Sequence, residues 1–290
     1  MLSETENQDV EIFASSKPTK ESSDLSDSSE RSTKKSLSII IPCYNEELGI
    51  IYLKEQIDPI ILKLQETYDL ELLFVDDGSR DKTLELLENT FGHRDYVKII
   101  PHKVNQNLGQ AIRTGFEAAC GDIIVTMDSD CTYSPKGIFE MLEMLDDETD
   151  IVTASPYHPK GGVLNVPKYR IFLSKCITTI YKILTFSRIH TFTALFRVQK
   201  KHIAKKIPFI SNDFLATAEL IIYPLLIGFK VKEYPDVLNV RKYGQSKMRL
   251  LQVIRSHFFF IFKLTWMRIS GQFGIMRKAC GPETVDQKNC

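Results

Sequence analysis

The sequence predicts an α/β protein with a mostly parallel central sheet flanked by helices. Three observations carry this expectation. Short β-branched apolar runs recur through the first half of the chain, segments of helical spacing separate them, and polar clusters stand at the ends of the runs. Buried apolar strands alternating with helices are the pattern of a parallel sheet covered on both faces.

Residues 1–35 are rich in Ser, Glu, Asp, Lys and Thr. Such a segment buries too little apolar surface to offset its ordering entropy, so a disordered tail is expected there. Leu37–Ile41, closed by Pro42, reads as the first buried strand. Residues 47–68 follow with helical spacing of Leu48, Ile51, Ile57, Ile61 and Leu64, and Pro59 is expected to split or kink that helix. Leu70–Val75 is a second strand, 81–91 a helix, and Val97–Ile100 a third strand. A helix over 109–120, a strand over 122–127, a helix over 135–145 and a strand over 151–154 continue the alternation. After 155 the regularity fades into a Pro- and Gly-containing loop. Helices are then expected over 171–186, 214–226 and 250–266, with a basic loop over 241–247. The layout predicted is a tail at 1–35, a catalytic domain at 36–250, an amphipathic helix at 251–277 and a loose terminus at 278–290.

Of 290 residues, 37 Lys and Arg balance 37 Asp and Glu. A protein that neutralises nucleic-acid phosphates is usually basic, so no nucleic-acid partner is expected. Six cysteines are scattered without the C-x-x-C spacing of a zinc or redox site, and free thiols in a reducing compartment are expected. No apolar h-region opens the chain, and no uncharged apolar stretch reaches the roughly 18 residues that suggest a transmembrane helix. The expected location is cytoplasmic, or peripheral on the cytoplasmic face of a membrane.

In an open α/β sheet, ligands bind outside the carboxyl ends of the strands. Three polar clusters lie there: Pro42–Glu46, Asp76–Ser79 and Asp128–Asp130. Asp128 and Asp130, flanking Ser129 after a buried strand, can share a hard divalent cation with substrate phosphates; a solvated acidic turn is the alternative. Asp77 can accept hydrogen bonds from a base or ribose hydroxyl, while Ser79 or Asp81 caps a helix. Tyr44 can lie against a planar base and Glu46 can accept hydrogen bonds; a turn with a helix cap accounts for the same spacing. Arg241 to Lys247 joins three cations and a glycine in a loop able to close over phosphates, or to stand solvated.

Together, Ser38–Glu46, Val75–Ser79, Asn107–Gly109 and Met127–Asp130 resemble the family 2 glycosyltransferases of GT-A fold. Phe196–Arg197, Glu219 and the 241–247 loop resemble the polyprenyl-phosphate hexosyltransferase branch, typified by dolichyl-phosphate mannosyltransferase. The resemblance covers residues 37–260. It implies nucleotide contacts at Pro42, Tyr44, Glu46, Val75 and Asp77, with Ser129 alongside, and metal contacts at Asp128 and Asp130. It implies phosphate contacts at Arg241 and Lys247, and a carboxylate near the site at Glu219. The implied cofactor is Mg²⁺ or Mn²⁺. The implied partners are a nucleoside-diphosphate sugar donor, a polyprenyl phosphate acceptor, a membrane surface and a membrane-anchoring partner protein. The chain departs from the family pattern at Thr132, where a Gln is common, at Pro156, where an Arg is expected, and at Thr191, where an Asp is expected.

The implied reaction is displacement at the anomeric carbon with inversion. A lipid phosphate is already anionic near neutral pH, so positioning and charge stabilisation outweigh general-base help. Residues 171–186 and 250–268 mix Phe, Ile and Trp with Lys and Arg, as interfacial helices do; core helices are the alternative. Two other functions fit the residues: transfer to a glycan or other non-lipid acceptor, and non-catalytic sugar-nucleotide or membrane binding. A nucleotidyltransferase fits less well, because no Gly-rich basic loop follows the first strand.

Overall fold

The computed structural model describes residues 34–207, 209–244 and 250–282. Residues 1–33 of the expected tail, Lys247 and residues 283–290 of the expected loose terminus lie outside the described residues; the described parts differ from expectation, since Lys35 opens the first strand and residues 278–280 are helical.

The chain alternates at first as β1 (Lys35–Cys43), α1 (Ile50–Thr67), β2 (Tyr68–Asp76), α2 (Thr83–Phe91), β3 (Val97–Pro101), α3 (Leu108–Ala118), β4 (Ile123–Thr126), α4 (Gly137–Met144) and β5 (Ile151–Ser155). It continues as β6 (Gly162–Val163), α5 (Lys168–Thr185), β7 (Arg197–Lys200), α6 (Lys201–Lys206), α7 (Leu215–Ile227), β8 (Val231–Pro235), β9 (Val237–Leu238), α8 (Leu250–Ile269) and α9 (Gln272–Cys280).

Among the described residues the main sheet has the order β3-β2-β1-β4-β7-β5-β8, and β6 pairs with β9 beside it. All its neighbours are parallel except β7, which runs antiparallel between β4 and β5. The sheet is therefore mostly parallel, as expected, but β7 is absent from the sequence expectation. Its four residues, Arg-Val-Gln-Lys, offer only Val198 as an apolar signal.

From Leu37 to Cys43 every residue of β1 is buried, because β1 is a central strand with a helical layer on each face. Val125, Val152 and Val198 point into one core with α1, α2 and α4. Ile40, Leu73 and Ile124 point to the other face, under α3 and α7. Pro59 does not split α1. It sits on the exposed side of the helix, where the carbonyl it leaves unbonded faces water.

Leu215–Pro224 of α7 is buried throughout, sandwiched between the sheet and α8. On α8 the buried residues are His257, Phe260, Leu264 and Met267, one stripe at helical spacing. The compact body thus includes α8 rather than ending at 250. The expected 251–277 helix is two, broken at Gly271, whose φ of +72° is left-handed. Cysteines are not uniformly buried: Cys43 is, whereas Cys120 and Cys176 are exposed.

Candidate functional site

The strand order reverses direction at β1, with β2 on one side and β4 on the other. That is the topological switch point, where the loops after β1 and β4 part and leave a crevice. Both loops carry the acidic residues singled out in the sequence.

The first two clusters are sewn together by short hydrogen bonds. Pro42 pairs with Val75 across β1 and β2. The Asp77 amide donates to the Cys43 carbonyl at 2.8 Å. Asn45, at a left-handed φ of +51°, donates its amide to Ser79 Oγ and accepts the Arg80 amide on Oδ1 at 2.8 Å. The Glu46 amide donates to Thr83 Oγ1 at 2.7 Å. The Pro42–Glu46 segment is therefore held by the start of α2, with Tyr44 half-buried at the strand end. Val75 is fully buried within the sheet, main chain included, between β1 and β3.

Asp77 is buried and its carboxylate is fully engaged. Oδ1 accepts His102 Nδ1–H at 2.8 Å and the Gln106 amide at 2.9 Å, and Oδ2 accepts Asn105 Nδ2–H at 2.6 Å. His102 is braced in turn by Thr114 Oγ1 on α3. None of the 102–106 partners is visible as a motif. The available signal is that His102 directly follows β3, at the same strand-end position as the other clusters. A glycine completes this wall. A Cβ on Gly109 would lie 2.1 Å from the Ser211 carbonyl oxygen, so only glycine lets α3 approach that close.

Asp128, Ser129 and Asp130 follow β4. Burial, with Asp130 and Glu46 nearby, pushes the Asp128 carboxyl up to about 7, and Arg241 and Arg197 pull it back. Ser129 is buried beside Cys43; burial raises the Cys43 thiol pKa, the Glu46 and Asp76 carboxylates add to the rise, and Ser129 opposes it. Asp130 Oδ1 accepts the Thr132 amide at 3.0 Å, and Oδ2 accepts Arg241 Nε at 2.8 Å. Arg241 Nη1 also reaches both oxygens of Glu46 at 3.1 and 3.2 Å. The structure thus brings together Glu46, Asp128, Asp130 and Arg241 from three separate stretches of chain. Tyr243 packs against Tyr52 with ring centroids 5.5 Å apart, and Lys242 stands over the same ring at 4.6 Å. These contacts lay residues 241–244 against α1. Lys247 lies outside the described residues.

Arg197 is fully buried on β7 beneath α7. Its Nη2 donates to the carbonyls of Phe192 and Thr217, while Nε and Nη1 have no hydrogen-bond partner among the described residues. Burial lowers its pKa to about 9, and Asp128 opposes that shift. Glu219, also buried, accepts the amides of Ile210 and Ser211 at 2.9 Å each. Its observed work is to hold the 210–212 loop against α3.

Hard oxygen donors with excess negative charge suit a divalent cation; the Asp128 pKa is raised first by burial and then by the neighbouring Asp130 and Glu46 carboxylates, whose repulsion a cation would relieve. Among the described residues no three acidic or imidazole groups form a closed cage. A cation at Asp128 and Asp130 would therefore complete its shell with donor phosphates and water, as Mg²⁺ does in phosphate sites.

Comparison with known proteins gives consistent results. The family model described as "Glycosyl transferase family 2" matches residues 38–208. The polyprenol monophosphomannose synthase of Mycolicibacterium smegmatis is 30% identical over 226 residues, which are 75% of this chain and 82% of that protein. The dolichol-phosphate mannosyltransferase of Pyrococcus furiosus is 29% identical over 73% of this chain, and the match spans 59% of that longer protein. Among solved structures, glucosyl-3-phosphoglycerate synthase from Mycobacterium tuberculosis, in complex with Mn²⁺, uridine diphosphate and phosphoglyceric acid, superposes with a TM-score of 0.58. It is 17% identical and covers 75% of this chain and 74% of its own, a likeness of fold.

Proposed function

The chain belongs to glycosyl transferase family 2, and from that premise we propose that it moves a hexose from a nucleoside-diphosphate sugar to a polyprenyl phosphate with inversion, on a membrane surface. The observation that carries the donor half is the cluster of Glu46, Asp128 and Asp130 around Arg241 at the switch point of the sheet. The acceptor half rests on the names of the relatives, both of which transfer to a polyprenyl or dolichyl phosphate.

In this reading the base and ribose lie along Pro42–Glu46 and the 75–77 strand end. Asp77 acts chiefly through the 102–106 loop it holds, because its oxygens are already bonded. A Mg²⁺ or Mn²⁺ ion, held by Asp128 and Asp130, would offset charge on the leaving diphosphate. Arg241 exchanges its carboxylate partners for the donor phosphates when the donor enters, and Lys247 joins it. An oxygen of the acceptor phosphate attacks the anomeric carbon. The new C–O bond forms as the bond to the donor's β-phosphate oxygen breaks, and that electron pair leaves with the nucleoside diphosphate. The acceptor brings its own negative charge, so no side chain needs to remove a proton from it.

The membrane surface is supported by α5, α8 and α9, none of which carries an Asp or Glu. Exposed Phe172 and Ile183 on α5 and Phe258, Phe262 and Trp266 on α8 stand among Lys and Arg side chains. Apolar side chains ringed by cations suit an interface rich in anionic headgroups. No helix among the described residues is long and apolar enough to cross a membrane.

The test is a donor panel offered to the purified full chain with polyprenyl phosphate in detergent, reading nucleoside diphosphate release and labelled lipid. Transfer to polyprenyl phosphate with at least one donor is expected. Strong transfer to a water-soluble sugar acceptor with none to lipid phosphate would overturn the reading. Nucleotide binding without turnover by any donor would replace it with a binding module.

A further inference from the structure

Beyond the acidic cluster, the same edge of the sheet carries a second polar centre. Thr126 of β4, Arg197 of β7, Thr153 of β5 and Glu233 of β8 pair with one another in turn across the sheet. Paired residues point to one face, so the row runs beneath α7 from the strand that presents Asp128 to Glu233. Three strand spacings separate its ends, about 14 Å.

Glu233 is a hub whose carboxylate is largely covered. Its Oε1 accepts Ser155 Oγ–H at 2.6 Å, the His190 amide at 2.7 Å and the Thr191 amide at 3.1 Å. Its Oε2 lies 2.7 Å from His190 Nδ1. A carboxylate only accepts, so His190 carries its proton on Nδ1 and turns Nε2 away from Glu233. Glu233 is 8% exposed and His190 32%: one partner is anchored and the other reaches the surface. Nε2 has no hydrogen-bond partner among the described residues. His158 lies edge-on to this ring, with centroids 5.5 Å apart. Its Nδ1 accepts the Lys160 amide, which leaves His158 Nε2 as the donor. Next along the chain from His158, the Tyr157 ring carries the Lys175 ammonium 5.9 Å above it.

From Ile151 to Asn212 the chain contains no Asp or Glu, in a protein whose net charge is zero; the acids beside this centre are Glu233 and Asp236, whose amide lies 3.4 Å from the Ser155 carbonyl oxygen. Glu233 comes from outside that stretch and is committed to His190 and the two amides. With Nδ1–H held by the carboxylate, Nε2 faces outward and can meet a phosphate, as a donor when the ring is protonated and as the acceptor of a P–O–H when it is neutral. The two remaining departures from the family pattern, Pro156 and Thr191, are sequence neighbours of this centre, one beside Ser155 and the other beside His190.

We infer that His190, oriented by Glu233 and flanked by His158, forms an anion subsite that takes the phosphate of the acceptor. This rests on the acceptor class proposed above and adds residues to it: His190 as the contact, Glu233 as its positioning residue and His158 as a second donor. The subsite shares the sheet edge with Asp128 and stands apart from it, so a sugar can lie between a leaving diphosphate and an incoming phosphate.

The test uses the full chain in detergent, with farnesyl phosphate and inorganic phosphate as probes. Variants His190→Gln and His158→Gln are compared with His93→Gln, an exposed position in the turn after α2. Two readouts are taken. Steady-state kinetics separates the KM for farnesyl phosphate from that for the donor. Carbon-13 NMR of the imidazole Cε1–H signals follows a farnesyl phosphate titration, with His190 assigned by its loss in the variant. His190→Gln is expected to raise the acceptor KM roughly tenfold or more, as loss of a hydrogen bond to a charged phosphate does, with the donor KM and kcat within about twofold. The His190 signal is expected to move and saturate with farnesyl phosphate, and more weakly with inorganic phosphate. An unchanged acceptor KM, an equal rise in both KM values, or a still His190 signal would overturn the inference. A wild type that transfers to lipid phosphate while His190→Gln matches it removes the subsite and keeps the function. A wild type that never transfers to lipid phosphate, but whose His190 signal saturates, keeps the subsite and removes the function.

Discussion

Arg241 Nε lies 2.8 Å from Asp130 Oδ2, and the same guanidinium reaches Glu46 through Nη1. One planar fork therefore ties the loop after β9 to the loops after β1 and β4. Burial works against its charge, but the two carboxylates outweigh that and raise its pKa. In the absence of donor, Arg241 balances Glu46 and Asp130 directly, and Arg197 adds to it at Asp128.

Arg241→Lys keeps the charge and loses the fork, because an ammonium cannot bond two partners in fixed planar geometry. Its kcat/KM for donor is expected to fall about tenfold, and that of Arg241→Ala by about 10² or more. Steady-state release of nucleoside diphosphate measures both. Equal activity in Arg241→Ala and the wild type would remove Arg241 from the donor site.

Asp130→Ala is expected to lower turnover by about 10²–10³, the scale of losing one group that stabilises transition-state charge. Chelation of Mg²⁺ and Mn²⁺ is expected to bring the wild type down to a similar level and to leave the variant almost unchanged. The assay is nucleoside diphosphate release with and without chelator. If Asp130→Ala keeps full turnover in chelator, the metal-assisted mechanism is wrong.

The first half of the fold was legible because the apolar runs of β1 to β5 alternate with the helices α1 to α4. In a parallel sheet that pattern alone puts strand ends on one edge, so three clusters far apart in sequence could be expected to converge. β7 was not legible. It buries Arg197 and Gln199, polar residues that no local periodicity assigns to a central strand, and only the gap between β4 and β5 places it. Pro59 misled for the converse reason: packing against the sheet holds α1 through a residue that disfavours helices. The carboxylates of the site were readable as motif positions, whereas their partners were not. His102, Asn105 and Gln106 around Asp77, and Arg241 on Asp130, meet only through tertiary structure.

Asp77→Asn is expected to destabilise the protein by about 1–3 kcal/mol, because an amide cannot accept on both sides from His102, Asn105 and the Gln106 amide. Amide hydrogen exchange should speed up selectively over 102–106, and the donor KM should rise with it. Urea denaturation and exchange mass spectrometry check the two parts. Faster exchange with an unchanged donor KM would show that the loop is scaffolding alone.

Two buried groups give opposite pH dependences of stability. The Asp128 pKa is raised to about 7, so the folded protein keeps a proton that the unfolded chain releases near 4. Its contribution is intact below about 4 and is lost as pH rises toward 7. The His257 pKa is lowered to about 4 by burial, so the folded protein refuses a proton that the unfolded chain takes up near 6.5. Its contribution is intact above about 6.5 and is lost as pH falls toward 4. One group changes stability by at most about 1.4 kcal/mol per pH unit, and the two slopes oppose each other. Between pH 4 and 6.5 in chelator, the wild type is expected to be flatter than either variant. Asp128→Asn should gain stability with rising pH, and His257→Gln should lose it. Melting temperatures across that range decide; parallel profiles for all three proteins would refute both assignments.

The exposed aromatic face of α8 separates membrane binding from folding. Phe262 and Trp266 are 65% and 66% exposed, on the side of α8 opposite the Phe260 and Leu264 stripe that packs on α7. Replacing them by Ser removes little that is buried, so each change should alter unfolding free energy by no more than about 0.5 kcal/mol. On a membrane the same rings leave water, and each is worth about 1.5–3 kcal/mol there. Phe262→Ser with Trp266→Ser is therefore expected to weaken partitioning onto phosphatidylserine vesicles by tenfold or more, where tenfold is about 1.4 kcal/mol. High salt should weaken the wild type as well, since the cations on α5, α8 and α9 act over about a Debye length. Vesicle sedimentation alongside denaturant unfolding tests the pair of claims. Loss of stability with unchanged partitioning would mean that this face packs against protein, not lipid.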